Sequence, residues 1–151
     1  MRVAGHGLSI DAPAGWETRI FRRGGAAPVL HVATFALAES DGDYGAAATG
    51  RMRPDDTFAA LVEFRTSEAL VAGRGLFAAV GRPSPLRPGD LRAGQLQVTR
   101  RGHVGCQRFF SERGRALCLY TVLWPVAIAL AARLRELNGV CLLYTSDAAD
   151  E

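Results

Sequence analysis

The chain has 151 residues, a length that fits one domain. Its 48% hydrophobic and 22% charged residues support an ordinary core without metals or disulfides. The net charge is only +3, no apolar run reaches the ~18 to 20 residues of a membrane span, and MRVAGHGLSID lacks the pattern of a secretory signal, so a cytoplasmic protein without a membrane partner is expected.

Leu8 and Ile10 alternate with Ser9 and Asp11, the period-two pattern of a half-buried strand. Pro13, Ala14 and Gly15 then form a turn, and Trp16, Thr18 and Ile20 line one face of a second strand that Gly24 and Gly25 end. PVLHVATFALA is apolar on both faces, with Val29, Ala33 and Phe35 on one and Leu30, Val32 and Ala36 on the other, which predicts a central strand. A loop follows, with a helical turn at 46–52, and then the strand TFAALVEF, with Phe58, Ala60, Val62 and Phe64 in step. Residues 65–94 are punctuated by Gly and Pro; a short helix fits near Glu68 to Ala72, but no long one.

LQVTRRGHVGCQRFFSERGRALCLYTVLW reads as a hairpin turning at Arg113-Gly114, a pair suited to a primed turn. That turn sets Glu112 against Arg115, Phe110 against Leu117 and Val104 against Leu123, and it sends Cys106 and Cys118 to opposite faces. ALCLYTVLW is nearly all apolar and predicts another central strand. Pro125 starts a helix whose stripe is Val126, Leu130, Leu134 and Leu137, with Arg133 at its edge, reaching outward. The order of elements predicts a mostly antiparallel α+β domain with flanking helices.

The candidate chemistry is sparse. All 18 basic residues are Arg, and they are dispersed without a run of five, so no nucleic-acid partner is expected. Cys106, Cys118 and Cys141 have neither zinc-site nor disulfide spacing and read as small buried hydrophobes. His6, His31 and His103 stand far apart; His31 reads as a hydrogen-bonded histidine within a strand. Asp41 and Asp43 in SDGDYG lack the further ligands of a calcium loop, and Asp55 and Asp56 read as a turn. Trp16, Tyr120 and Trp124 read as packing residues. GRGLFAAVG is no phosphate loop, and no nucleophile elbow is present. No catalytic, cofactor or metal residue is assigned, and an enzyme is not favoured.

The stretches GLSIDAPAGWETRIFRR, HVATFAL, DDTFAALVEF and QRFFSERGRALCLYTVLW resemble an uncharacterised family from GC-rich, actinomycete-type bacteria. The opening strand with its Pro-x-Gly-Trp, and the late hairpin before a helix, resemble PsbP-like and Mog-like domains. The resemblance implies an antiparallel sheet flanked by helices, a protein-binding or assembly role with another protein as partner, and one more strand after the helix. It carries over no functional residue. Residues 141–151, CLLYTSDAADE, resemble one translated frame of a transposase-based sequencing adapter. A native domain over 1–140, as a fragment of a longer reading frame, and a non-native tail over 141–151 are therefore expected, the tail poorly anchored or replacing a missing edge strand.

Two functions follow as expectations. The first is a non-enzymatic protein-binding or assembly domain. The second is a small-molecule-binding domain or enzyme, with a pocket between the sheet and residues 65–94 on which His31, Asp55 or Arg108 converges.

Overall fold

The computed structural model describes residues 2–22, 27–64 and 72–144. The strand end expected at Gly24 and Gly25 lies outside them, as does the helix expected near Glu68 to Ala72, apart from Ala72 itself, which is in a turn. The architecture is α+β, with two antiparallel sheets and two short α-helices among the described residues. Strands β1 (Arg2–Gly5), β2 (Leu8–Asp11) and β8 (Cys141–Tyr144) form the smaller sheet in the order β1-β2-β8. Strands β3 (Glu17–Phe21), β4 (Val29–Ala33), β5 (Thr57–Phe64), β6 (Val104–Glu112) and β7 (Arg115–Leu123) form the larger one, in the order β3-β4-β5-β7-β6. Helix α1 (Ala46–Thr49) follows β4, and α2 (Leu130–Asn138) follows β7.

The hairpin takes the register its sequence predicts. Glu112 faces Arg115, Phe110 faces Leu117 and Val104 faces Leu123. Arg113 and Gly114 both have positive φ, which gives a turn whose twist matches the strands. β4 and β7 are central strands, as their apolar runs imply, and β5 spans TFAALVEF. A strand not anticipated is β1, which is joined to β2 by a second tight turn at His6 and Gly7, both again at positive φ.

Alternation sorts the large sheet into two packed faces. Leu30, Val32, Ala59, Leu61, Phe110 and Leu117 pack under Leu8 and Ile10 of the small sheet and beside Trp16. Val29, Ala33, Phe58, Ala60, Val62, Tyr120 and Val122 pack on the opposite face, under Ala48 and Met52, with Phe35 and Trp124 partly buried against them. Burying each large apolar side chain contributes about 1.5 to 3 kcal/mol, so the two faces together carry most of the stability.

The last helix differs from expectation. It begins at Leu130 rather than at Pro125, because 125–129 form a turn in which the Ala129 amide donates to the Val126 carbonyl. Val126 therefore drops out of the helical stripe, and Leu130, Leu134 and Leu137 pack with Leu86, Cys106 and Leu123. Arg133 does more than reach outward. It makes a two-pronged ion pair with Asp55, Nη2 to Oδ2 at 2.8 Å and Nε to Oδ1 at 3.1 Å, and a third bond to Glu136 at 2.6 Å. Glu136 in turn accepts from the Trp16 indole at 2.9 Å, so α2 is tied to two loops of the sheet.

β8 pairs antiparallel with β2 from Leu8–Tyr144 to Asp11–Cys141, on the outer side of the small sheet. β6 is the outer strand of the large sheet, and the 79–96 segment covers parts of its edge. The Ser111 amide donates to the Ala79 carbonyl at 2.7 Å and Ser111 accepts from Gly81 at 2.8 Å. Arg92 and Gly105 exchange both backbone bonds, and the Gln107 amide donates to Gln95 Oε1 at 2.8 Å. Among the described residues no helix is long and apolar enough to cross a membrane.

Candidate functional site

The strands distribute the candidate residues rather than gather them. His31 is fully buried on the face of the large sheet opposite Leu30 and Val32, with its ring edge-on to Phe21 and Phe58. Its Nε2 donates to the Asp43 carbonyl at 2.9 Å, which fixes the loop before α1. Asp55 is held by Arg133, and Asp56 accepts from Thr34 Oγ1 at 2.9 Å and from the Arg53 amide at 2.8 Å. His103 is buried against Trp124; burial first, and then the Arg100 charge, lower its pKa, so the imidazole is neutral at pH 7. The convergence of His31, Asp55 and Arg108 on one pocket does not occur. Arg108 alone of the three reaches a cavity.

Asp41 is only 2% exposed. Arg51 clasps both of its carboxylate oxygens, at 2.6 and 3.0 Å, and the Ala38 amide adds a bond of 2.7 Å. This is a structural clamp on the loop before α1. Among the described residues no three His, Cys, Asp or Glu side chains are gathered as metal ligands would be.

Cys106 and Cys118 point to opposite faces, one against Leu86 and Leu134, the other within the cluster around Phe58 and Tyr120. Burial raises the pKa of both thiols, that of Cys118 to about 11. The thiolate is the reactive form, so both are inert as nucleophiles at neutral pH. Brief iodoacetamide treatment of the native protein, mapped by mass spectrometry, is expected to leave both unmodified until denaturant is added. Labelling of Cys118 in the folded protein would contradict this assignment.

The cavity has a volume of about 150 Å³. Its floor is the face of the large sheet that carries Leu30, Leu61 and Leu119; its roof comes from α2 at Leu137 and Asn138 and from residues 82–86. That strap is fastened at one end, where Asn138 accepts from the Leu86 amide at 2.8 Å and donates to the Leu86 carbonyl at 3.0 Å. Arg108 Nη1 fastens it again by donating to the Ser84 carbonyl. A pocket between the sheet and the Gly/Pro-rich segment is thus present, with a different set of polar residues from the one expected.

Those residues are Arg82, Ser84, Arg108, Thr121 and Asn138; among the described residues no carboxylate or imidazole lines the cavity. Arg82 pairs with Glu112 at 3.5 Å. Arg108 is half-buried, and that burial lowers its pKa, while Cys106 and Asp90 act in the opposite sense. Thr121 is 1% exposed, and its hydroxyl has no hydrogen-bond partner among the described residues. The sequence offers a signal for Thr121: it is a small hydroxyl side chain within the nearly apolar ALCLYTVLW, and the hairpin register sets it opposite Cys106. Comparison of the chain with models of protein families, with curated proteins and with solved structures finds no match in any of the three.

Proposed function

We propose that this chain is a small-molecule-binding domain that holds a compact ligand in the cavity between the large sheet, α2 and the 82–86 strap. The observation that carries this reading is the cavity of about 150 Å³ with apolar walls. A space of that order, lined by aliphatic side chains, admits a benzene-sized molecule. That no described lining residue is a carboxylate, imidazole or thiol favours binding over catalysis.

The test is thermal or chemical denaturation with toluene as the probe. At a hundredfold excess over its Kd, a ligand that binds only the folded state adds about 2.7 kcal/mol of stability. Ala59 lies on the cavity floor, and Ala59→Leu extends a side chain into the space. Its own stability should fall by no more than about 1 to 3 kcal/mol, and the toluene effect should disappear. No stabilisation of the parent protein, or equal stabilisation of the variant, would refute the reading.

A second reading is binding of another protein in an assembly role. It is supported by the resemblance to PsbP-like and Mog-like domains and by the exposed Leu76 and Val80, the latter 81% accessible beside the edge of β6. Isolated exposed apolar residues are common on ordinary surfaces, so the cavity is the stronger observation.

A further inference from the structure

We propose that the ligand of this cavity is a small monocarboxylate with a compact apolar body, of the size and shape of benzoate, its carboxylate gripped by Arg108 and the Thr121 hydroxyl. The inference rests on the cavity being a ligand site and adds the chemical class of the ligand.

Three observations lead there. First, the two residues share one face by register. Arg108 lies opposite Leu119 and Thr121 opposite Cys106, so they are diagonal neighbours on β6 and β7, and both line the cavity. Second, their polar capacity is unused. Thr121 Oγ1 and Arg108 Nε are buried and without a hydrogen-bond partner among the described residues, although both stand in a largely apolar wall. A buried hydroxyl left unpaired is costly, and such a group persists where something else supplies its partner. Third, the charge is one-sided. Among the described residues the cavity lining has two guanidinium groups and no carboxylate; Arg82 is taken by Glu112, while Arg108 has no ion pair among them.

The guanidinium geometry narrows the ligand further. Arg108 spends Nη1 on the Ser84 carbonyl, and Nε is left on another edge of the fork. A planar carboxylate matches such a fork, one oxygen to the guanidinium and the other within reach of a hydroxyl. A dianionic phosphate would need more donors than these two to replace its hydration. The apolar remainder of the ligand would lie over Leu30, Leu61 and Leu119, and the volume holds it to about the size of one aromatic ring.

The experiment compares benzoate with toluene on the full chain by titration monitored through amide chemical shifts. In the parent protein, benzoate is expected to bind at least about tenfold more tightly than toluene, equivalent to one hydrogen-bonded charge contact of roughly 1.4 kcal/mol. Thr121→Val, which keeps the shape and removes the hydroxyl, is expected to raise Tm without ligand and to weaken benzoate about tenfold while leaving toluene unchanged. Arg108→Gln is expected to erase the preference for benzoate; if that variant does not fold, Thr121→Val carries the test alone. Toluene binding without benzoate binding overturns the carboxylate assignment and leaves the binding-domain reading standing. Failure of both probes overturns both. A Thr121→Val variant with lowered Tm and unchanged benzoate affinity shows that the hydroxyl is structural, and it also overturns the assignment.

Discussion

Replacing Gly45 with alanine is expected to remove about 2 to 5 kcal/mol of stability. Two independent penalties act at this position. Gly45 precedes α1 with φ of 67° and ψ of 34°, a left-handed conformation that costs an L-residue roughly 1 to 2 kcal/mol. A Cβ there would also stand 2.1 Å from Cζ of Phe58. Phe58 is fully buried and has His31 edge-on to its ring, so it has little room to retreat. Forcing a methyl group into a packed core costs about 1 to 3 kcal/mol. Against a total of about 5 to 15 kcal/mol for a domain, urea unfolding should register the loss directly. A double-mutant cycle separates the penalties. Phe58→Leu shortens the obstructing ring, so its cost should be smaller in the Gly45→Ala background than alone, with a coupling above about 0.5 kcal/mol. Strict additivity would show that the clash is relieved by other means.

Removing Arg51 is expected to have the next largest effect, and one that depends on pH. The Arg51 side chain, followed by the Ala38 amide, holds the Asp41 carboxyl below its ordinary pKa against the opposing influence of burial. A carboxylate whose pKa is lowered by folding contributes stability above its unfolded value, near 3.9, and loses that contribution as the pH falls through the lower folded value. Arg51→Ala leaves a buried charge with one amide donor, a loss of about 1 to 3 kcal/mol at pH 7. The lower part of that range is expected, because the Arg51 side chain is 41% exposed and water screens the pair. At a pH below the folded value Asp41 is protonated in both proteins, and the gap between parent and variant should narrow relative to pH 7. Urea titrations at the two pH values check this. An equal gap at both would mean that Arg51 acts through its bond to the Ala36 carbonyl at 2.8 Å rather than through the charge.

Much of the large sheet is legible in the sequence because its apolar runs announce the strands, although β4 stops at Ala33, short of the Phe35 and Ala36 expected within it. Arg113-Gly114 fixes the hairpin, and with it every pairing from Glu112–Arg115 to Val104–Leu123. His6-Gly7 carries the same kind of signal, but RVAG before it is too short and too weakly apolar to announce β1. Pro125 signals a helix start, yet the chain spends 125–129 on a turn before Leu130, because position relative to the sheet decides where the first apolar contact falls.

The site is less legible. Alternation alone separates His31 from Leu30 and Val32 and so removes it from the cavity face. Nothing local in the sequence says that Asp55 is taken by Arg133, 78 positions later. Arg108 and Thr121 become neighbours through register, but the cavity above them depends on Asn138 holding Leu86, a contact across 52 positions that no periodicity reveals.

The placement of the backbone bonds along β6 has a consequence for solution behaviour. An outer strand with bare amides and carbonyls is a template on which a second molecule can add its own strand. Here the contacts of Ser111 with Ala79 and Gly81, and of Gly105 with Arg92, occupy that template at both ends of the strand. The fastening points lie on either side of residues 82–86, which roof the cavity. Displacement of the roof alone therefore need not uncover the guarded positions. The roof of the cavity and the guard on β6 are thus built from different stretches of one loop.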